Sequence, residues 1–229
     1  MNNSEKNLRE EIAALAHEIR KPLTSIGGFV DGIIDGTIPE KDYMHYLRIV
    51  SAEVKRLTDI TTGMLDTSKI ELIEHPDNVH RFPLNETVIR TFCTLEKIIE
   101  SKNITIEGLE NAENVTVTGD LSMISQALYN LIENAVKYTN INGCISVSFS
   151  SDGEFTQFGI RNTGYGIAEN EKEKVFDKFY RSETAKNNEP DGTGLGLSIA
   201  KAIVELHNGV ISADGIQDCF AEFKVKLPS

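Results

Sequence analysis

The chain has 229 residues, 40% hydrophobic and 25% charged, which suits one large or two small soluble domains with a buried core. Its formal net charge of -12 excludes a general nucleic-acid binder, because phosphate backbones are held by clustered Lys and Arg; any phosphate ligand here needs a local cation or a metal ion. No apolar run is long enough to cross a bilayer and the polar start is no signal peptide, so a membrane segment, if this protein has one, is expected outside this chain. Cys93, Cys144 and Cys219 lie far apart, form no metal-ligand spacing, and are expected as buried thiols in a reducing compartment.

Leu8, Ile12, Leu15, Ile19, Leu23, Ile26 and Val30 recur at steps of three and four, the stripe of an amphipathic helix. Gly36 suits its end, and Thr37 with Glu40 forms a capping-box pattern for a second helix. Tyr43, Leu47, Val50, Val54, Leu57, Thr61 and Met64 or Leu65 make the second stripe. Two such helices with a short connection form an antiparallel hairpin, which buries only one stripe alone. Pairing with a second copy into a four-helix bundle covers the rest; packing onto the C-terminal half of the same chain is the alternative.

Residues 72–81 lose the periodicity and read as a linker. Mixed α and β patterns follow. The spacing predicts a short strand at 82–84, a helix over 85–100, strands at 103–107 and 115–118, and a helix capped by Asp120. A hairpin around Asp152-Gly153 joins strands at 144–150 and 154–161. A short helix over 171–179, a polar mobile loop over 182–193, a helix over 195–207 and two closing strands complete the pattern. Strands and helices without a strict βαβ rhythm point to an α+β fold.

Five blocks carry chemistry. His17 and Glu18 lie side by side on the first helix, off its Leu15/Ile19 stripe, with Pro22 one turn later. Asn130 and Asn134 share a helix face with Lys137 close by; amide oxygens suit Mg²⁺, and a lysine suits phosphate. Asn162-Thr163-Gly164-Tyr165-Gly166 is a glycine turn after a strand. Residues 175–181 are aromatic and basic and end in Arg181. Residues 191–198, with Gly192, Thr193, Gly194, Leu195 and Gly196, open directly into a helix, where close backbone approach and a free helix N-terminus suit phosphates.

In this order the blocks resemble the catalytic core of bacterial sensor histidine kinases. Residues 17–23 are similar to that family's H box, 130–138 to its N box, 162–167 and 191–198 to its two glycine boxes, and 175–181 to its F box. The resemblance implies a dimerisation and phosphoacceptor domain at 1–71, a linker at 72–81, and an ATP-binding domain at 82–229. That domain would be an α/β sandwich of the type shared with gyrase, the Hsp90 chaperones and MutL, with a mixed sheet and helices on one face. It implies ATP and Mg²⁺ as cofactors, with Asn130 and Asn134 on the metal, Lys137 and Arg181 at the phosphates, and Tyr138 near the nucleotide. Asn162 would meet the adenine amino group in a pocket shaped by Gly164 and Gly166, and Gly192 to Gly196 would border the phosphates beneath a lid over 182–193. His17 would take the γ-phosphoryl group with Glu18 as proton acceptor. The phosphoryl group would then pass to an aspartate of a response regulator. The expected setting is a cytoplasmic homodimer, or the cytoplasmic portion of a membrane-bound sensor. A nucleotide-binding dimeric scaffold and an ATP-hydrolysing clamp are the competing readings.

Two positions depart from the family pattern. The fourth residue after the histidine, usually Asn or Thr that assists dephosphorylation of the partner, is Lys21, which points to a kinase-dominated enzyme. The first glycine box usually begins with Asp and here begins with Asn162, a neutral acceptor that could also flip and donate to guanine, so relaxed adenine selectivity is expected. Pro22 removes the N–H that would pair with the Glu18 carbonyl, so a bend beside His17 is expected.

Overall fold

The computed structural model describes residues 3–111, 115–188 and 192–229, with side chains described from Ile12 onward except those of Asn111, Asn187 and Asn188. Leu8 of the first stripe and residues 189–191 of the expected lid therefore lie outside the described side chains or residues.

Helix α1 (Asn3–Ile34) runs unbroken through Pro22, and α2 (Tyr43–Glu71) returns beside it. Gly36 takes φ +79 at the turn, a conformation that glycine adopts without strain. The expected capping box does not form. Asp35 Oδ1 accepts from the Thr37 N–H at 2.8 Å instead, and a 3-10 turn at Glu40–Asp42 leads into α2. Phe29 and Tyr46 pack across the two helices with ring centroids 5.0 Å apart. Ile12, Leu23, Leu47, Val54, Met64 and Leu65 remain exposed on the hairpin.

The remaining elements build one domain. Strand β1 (Val79–Pro83) starts inside the expected linker, because it pairs antiparallel with β3 (Thr116–Asp120). The helix expected over 85–100 divides at Leu95 into α3 (Leu84–Thr94) and α4 (Glu96–Ser101). Strands β2 (Thr105–Glu107), β4 (Cys144–Ser151), β5 (Phe155–Thr163), β6 (Val210–Ile216) and β7 (Phe220–Pro228) form a five-stranded sheet in the order β2-β4-β5-β7-β6. It is mixed: β2 runs parallel to β4, and the other pairs are antiparallel. Asp152 closes the β4–β5 turn by accepting from the Glu154 and Phe155 N–H groups.

Period-two alternation puts Phe158 and Ile160 of β5, with Ala221, Phe223, Val225 and Leu227 of β7, on one buried face. Helices α5 (Leu121–Tyr138) and α7 (Gly196–Leu206) pack there, burying Leu128, Leu131 and Ile132 from α5 and Ile199, Ile203 and Val204 from α7. Asp120 caps α5 as expected, accepting from the Ser122 and Met123 N–H groups at 2.9 and 3.2 Å. The Ser122 hydroxyl and these N–H groups hold its carboxyl below the usual carboxylate range. At the other end of α5, Lys102 Nζ donates to the carbonyls of Val136, Lys137 and Thr139, which otherwise lack helix partners.

Three further local expectations fail. Residues 171–179 form two 3-10 turns, Glu169–Glu171 and Lys174–Phe176, with no continuous helix. Part of the expected lid loop is helical, α6 (Glu183–Asn188). Cys93 and Cys219 are exposed; only Cys144 is partly covered, and burial raises its thiol pKa.

Candidate functional site

A cavity opens where the ends of α5, β5 and β7 meet the segment that leads into α7. Helix α5 supplies Asn130, Glu133, Asn134, Lys137 and Tyr138 from the edge beside its buried stripe. Three- and four-residue steps along one helix bring these side chains together whatever the rest of the fold does. The Asn130 Nδ2 is buried with no hydrogen-bond partner among the described residues. A buried amide donor without an acceptor costs roughly 1–3 kcal/mol. A phosphate oxygen would satisfy that donor. The amide oxygens of Asn130 and Asn134 are hard donors of the kind Mg²⁺ takes alongside water and phosphate. Among the described residues no group of three or more His, Cys, Asp and Glu side chains could hold a metal ion. The residues therefore fit a nucleotide carrying Mg²⁺.

Asn162 occupies the place on β5 where the Phe158/Ile160 alternation calls for another core side chain. It is 1% exposed and lines the cavity. Its Nδ2 donates to the Thr163 carbonyl at 3.1 Å. That bond leaves Oδ1 as the group to meet a ligand, an acceptor suited to an exocyclic amino group. Gly166 borders the same end with φ +65, where a Cβ would run into the Ile216 carbonyl. Ala221 and Phe223 of β7 add apolar surface.

The other end of the cavity is lined by Arg181, Gly192, Thr193, Gly194 and Gly196. The Arg181 Nη2 donates to the Ala185 carbonyl at 3.0 Å and so ties α6 to the cavity rim. Gly192 lies flat against the guanidinium, where a Cβ would come within 3.1 Å of Nε. Phe179 takes φ +64, unusual for a bulky residue, and donates its N–H to the Gly194 carbonyl at 2.9 Å. This bond joins the two ends of the segment that carries α6. Tyr180 donates its hydroxyl to Glu171 Oε1 at 2.8 Å; burial first, and then that carboxylate, push its pKa up to about 12.

Two of the residues expected around the nucleotide do not line the cavity. Gly164 stands behind it, with its backbone bridged to Thr139 and no room for a Cβ beside the Tyr138 carbonyl. Leu195 is 2% exposed and turns its side chain into the core, where it meets Gly63 of α2. Its apolar chain fits that contact better than a phosphate edge, and the glycines on either side face the cavity in its place. Glu133, Tyr165, Glu171 and Tyr180 line the cavity and were not singled out from the sequence. Glu133 was within reach of helical spacing from Asn130; the others depend on how the turns after β5 fold back.

His17 is exposed on α1 and is not among the cavity-lining residues. Glu18 faces α2, where its Oε2 accepts from Arg56 Nη2 at 3.1 Å and its Oε1 from Lys21 Nζ at 3.2 Å. The domain with the cavity docks on the hairpin through Leu195 against Gly63 and a Lys178–Glu71 ion pair at 2.6 Å.

The His Kinase A (phospho-acceptor) domain family matches residues 7–73. The family described as histidine kinase-, DNA gyrase B- and HSP90-like ATPase matches residues 119–229. Among curated relatives, sensor histidine kinase WalK of Bacillus subtilis (strain 168) is 30% identical over 96% of this chain and 36% of its own length. YclK of the same organism is 30% identical over 98% of this chain and 47% of its own length. The chain thus spans about a third to a half of the length of these relatives. A solved structure of histidine kinase ThkA in complex with response regulator protein TrrA is 28% identical, with a TM-score of 0.76 over 99% of this chain and 63% of that one. With a phosphoacceptor hairpin matched at one end and an ATPase fold matched at the other, around a cavity fitted to a nucleotide, this chain belongs to the sensor histidine kinases and carries their catalytic core.

Proposed function

We propose that the chain is an ATP-dependent protein histidine kinase that phosphorylates itself on His17 and passes the phosphoryl group to an aspartate of a response regulator. The observation that carries this reading is the convergence of Asn130, Asn134, Lys137, Asn162, Arg181 and the 192–196 segment on one cavity, with an exposed histidine on a separate helical hairpin. Asn162 Oδ1 receives the adenine amino group. Lys137, Arg181 and the Asn130 amide donor meet the phosphates. Mg²⁺ on the Asn130 and Asn134 oxygens would neutralise phosphate charge.

In the transfer, a lone pair on one ring nitrogen of His17 forms a bond to the γ-phosphorus as the bond to the β–γ bridging oxygen breaks, releasing ADP. The proton on the other ring nitrogen passes to Glu18. Because His17 does not line the cavity in the docked arrangement, transfer requires the ATP-binding domain to move or a second copy to supply the histidine. The exposed Leu47, Val54 and Leu65 of α2, with Leu23 of α1, support a homodimer through the hairpin. ThkA, whose structure contains a response regulator, supports the same class of partner here. No helix among the described residues is long and apolar enough to cross a membrane, which fits the cytoplasmic part of a sensor.

Incubation with γ-labelled ATP tests the reading. Acid-labile protein label that is absent in His17→Gln is the expected result. No label in the native protein would leave a nucleotide-binding scaffold, and free phosphate without protein label an ATP-hydrolysing clamp.

A further inference from the structure

Both oxygens of the Glu18 carboxylate are held by cations, and the two holds differ. The Arg56 arm crosses between helices and is well covered, with side chains 15% and 13% exposed. The Lys21 arm lies on one helix, and the lysine side chain is 50% exposed. Lys21 is four residues from His17 and three from Glu18, so it sits one turn beyond both on the same side of α1. Pro22 supplies no N–H to the Glu18 carbonyl, so that carbonyl goes without its usual helical hydrogen bond.

We infer that Lys21 and Arg56 are positioning residues with opposite effects: Arg56 anchors Glu18 through Oε2, and Lys21 competes with the His17 imidazole for Oε1. This rests on the reading of Glu18 as the proton acceptor for His17. In the resting arrangement Oε1 is on Lys21. For transfer the exposed arm opens, and Oε1 accepts the proton from the ring nitrogen that does not attack phosphorus. The part-buried Arg56 arm stays closed and keeps the carboxylate within reach of α1. Lys21 thus restrains the autokinase step by holding the acid that this step needs.

The test compares the full native chain with Lys21→Met, Arg56→Met, Glu18→Gln and the Glu18→Gln/Lys21→Met double variant. Exposed ion pairs contribute about 0.2–1 kcal/mol, so opening one changes a rate by about 1.5- to 5-fold. Single-turnover labelling of Lys21→Met should be faster by that factor, labelling of Arg56→Met should be slower, and Lys21→Met should have no effect in the Glu18→Gln background. The ring ¹⁵N shifts of His17 at a fixed, mildly alkaline pH should move in Lys21→Met, as the ring N–H gains the freed carboxylate, and stay put in the double variant. An unchanged or slower Lys21→Met rate, or the same acceleration without Glu18, overturns the inference. The NMR comparison needs no turnover: if the native protein takes no label, unmoved shifts overturn the clamp itself, while moved shifts uphold it and the fault lies with the proposed reaction.

Discussion

Asn162→Asp separates two energies that the native amide combines. The amide donates to the Thr163 carbonyl at 3.1 Å and offers Oδ1 to the cavity from a position 1% exposed. Aspartate replaces the donor with a second oxygen. In the free protein this removes one hydrogen bond, sets an oxygen against a carbonyl and buries a carboxylate, at a cost of about 1–3 kcal/mol. For a chain of this size each kcal/mol lowers Tm by roughly 2–4 °C, so a fall of several degrees is expected in a thermal scan. With nucleotide bound, a charged acceptor binds an amino group about 1 kcal/mol better than a neutral one, near a factor of five in Kd. The variant should therefore bind ATP more tightly while folding less stably, as read by displacement of a fluorescent nucleotide and by the scan. With Nδ2 held by the Thr163 carbonyl, the native protein is expected to prefer adenine over guanine, where its neutral side chain alone would allow relaxed selectivity. GTP displacing the probe as well as ATP from the native chain, or an Asp variant with no gain for ATP, would refute this geometry.

The remaining predictions concern stability around the site. His207 is 5% exposed at the end of α7; its Nε2 accepts from the Asp120 N–H at 3.0 Å and its Nδ1 bonds the Ile203 carbonyl at 2.7 Å. His207→Ala orphans the buried Asp120 N–H and empties the ring's space, so a loss of about 3 kcal/mol is expected, roughly 6–12 °C in Tm; calorimetry showing under ~1 kcal/mol would contradict it. Burial and the Glu171 carboxylate push the Tyr180 pKa from the ordinary 10.0 up to about 12. A raised folded pKa means that its contribution is whole below the unfolded value and is lost as pH climbs through the interval between the two. Stability measured by denaturant titration should therefore fall less steeply between about pH 10 and 12 in Tyr180→Phe than in the native chain, and equal slopes would contradict the reasoning.

Local spacing made much of this molecule legible. The hairpin stripes, the Asp120 cap and the face shared by Asn130, Asn134 and Lys137 depend on residues within two turns of one another. Their geometry follows from the pitch of one helix. Contacts between residues far apart in the chain were not legible in this way. Leu195 reads as part of a phosphate loop, yet its isobutyl chain found Gly63, 132 positions earlier, and left the flanking glycines to the cavity. The segment at 183–188 has the polar composition of a loop but forms a helix, with Arg181 reaching across to the Ala185 carbonyl.

By itself the sequence determined which groups this protein can use: a histidine beside an acid, a face of amides with a lysine, and glycines at a helix start. Residue type and helical or strand period fix those locally. Only the tertiary structure decided how they are deployed. It placed Asn162 at the cavity with its amide nitrogen held by the Thr163 carbonyl. It brought Arg56 across 38 residues to Glu18, so that the acid beside His17 is held by two cations. Charges and hydrogen bonds act over a few ångströms, and which groups come within that range is a property of packing between elements, which no local period encodes.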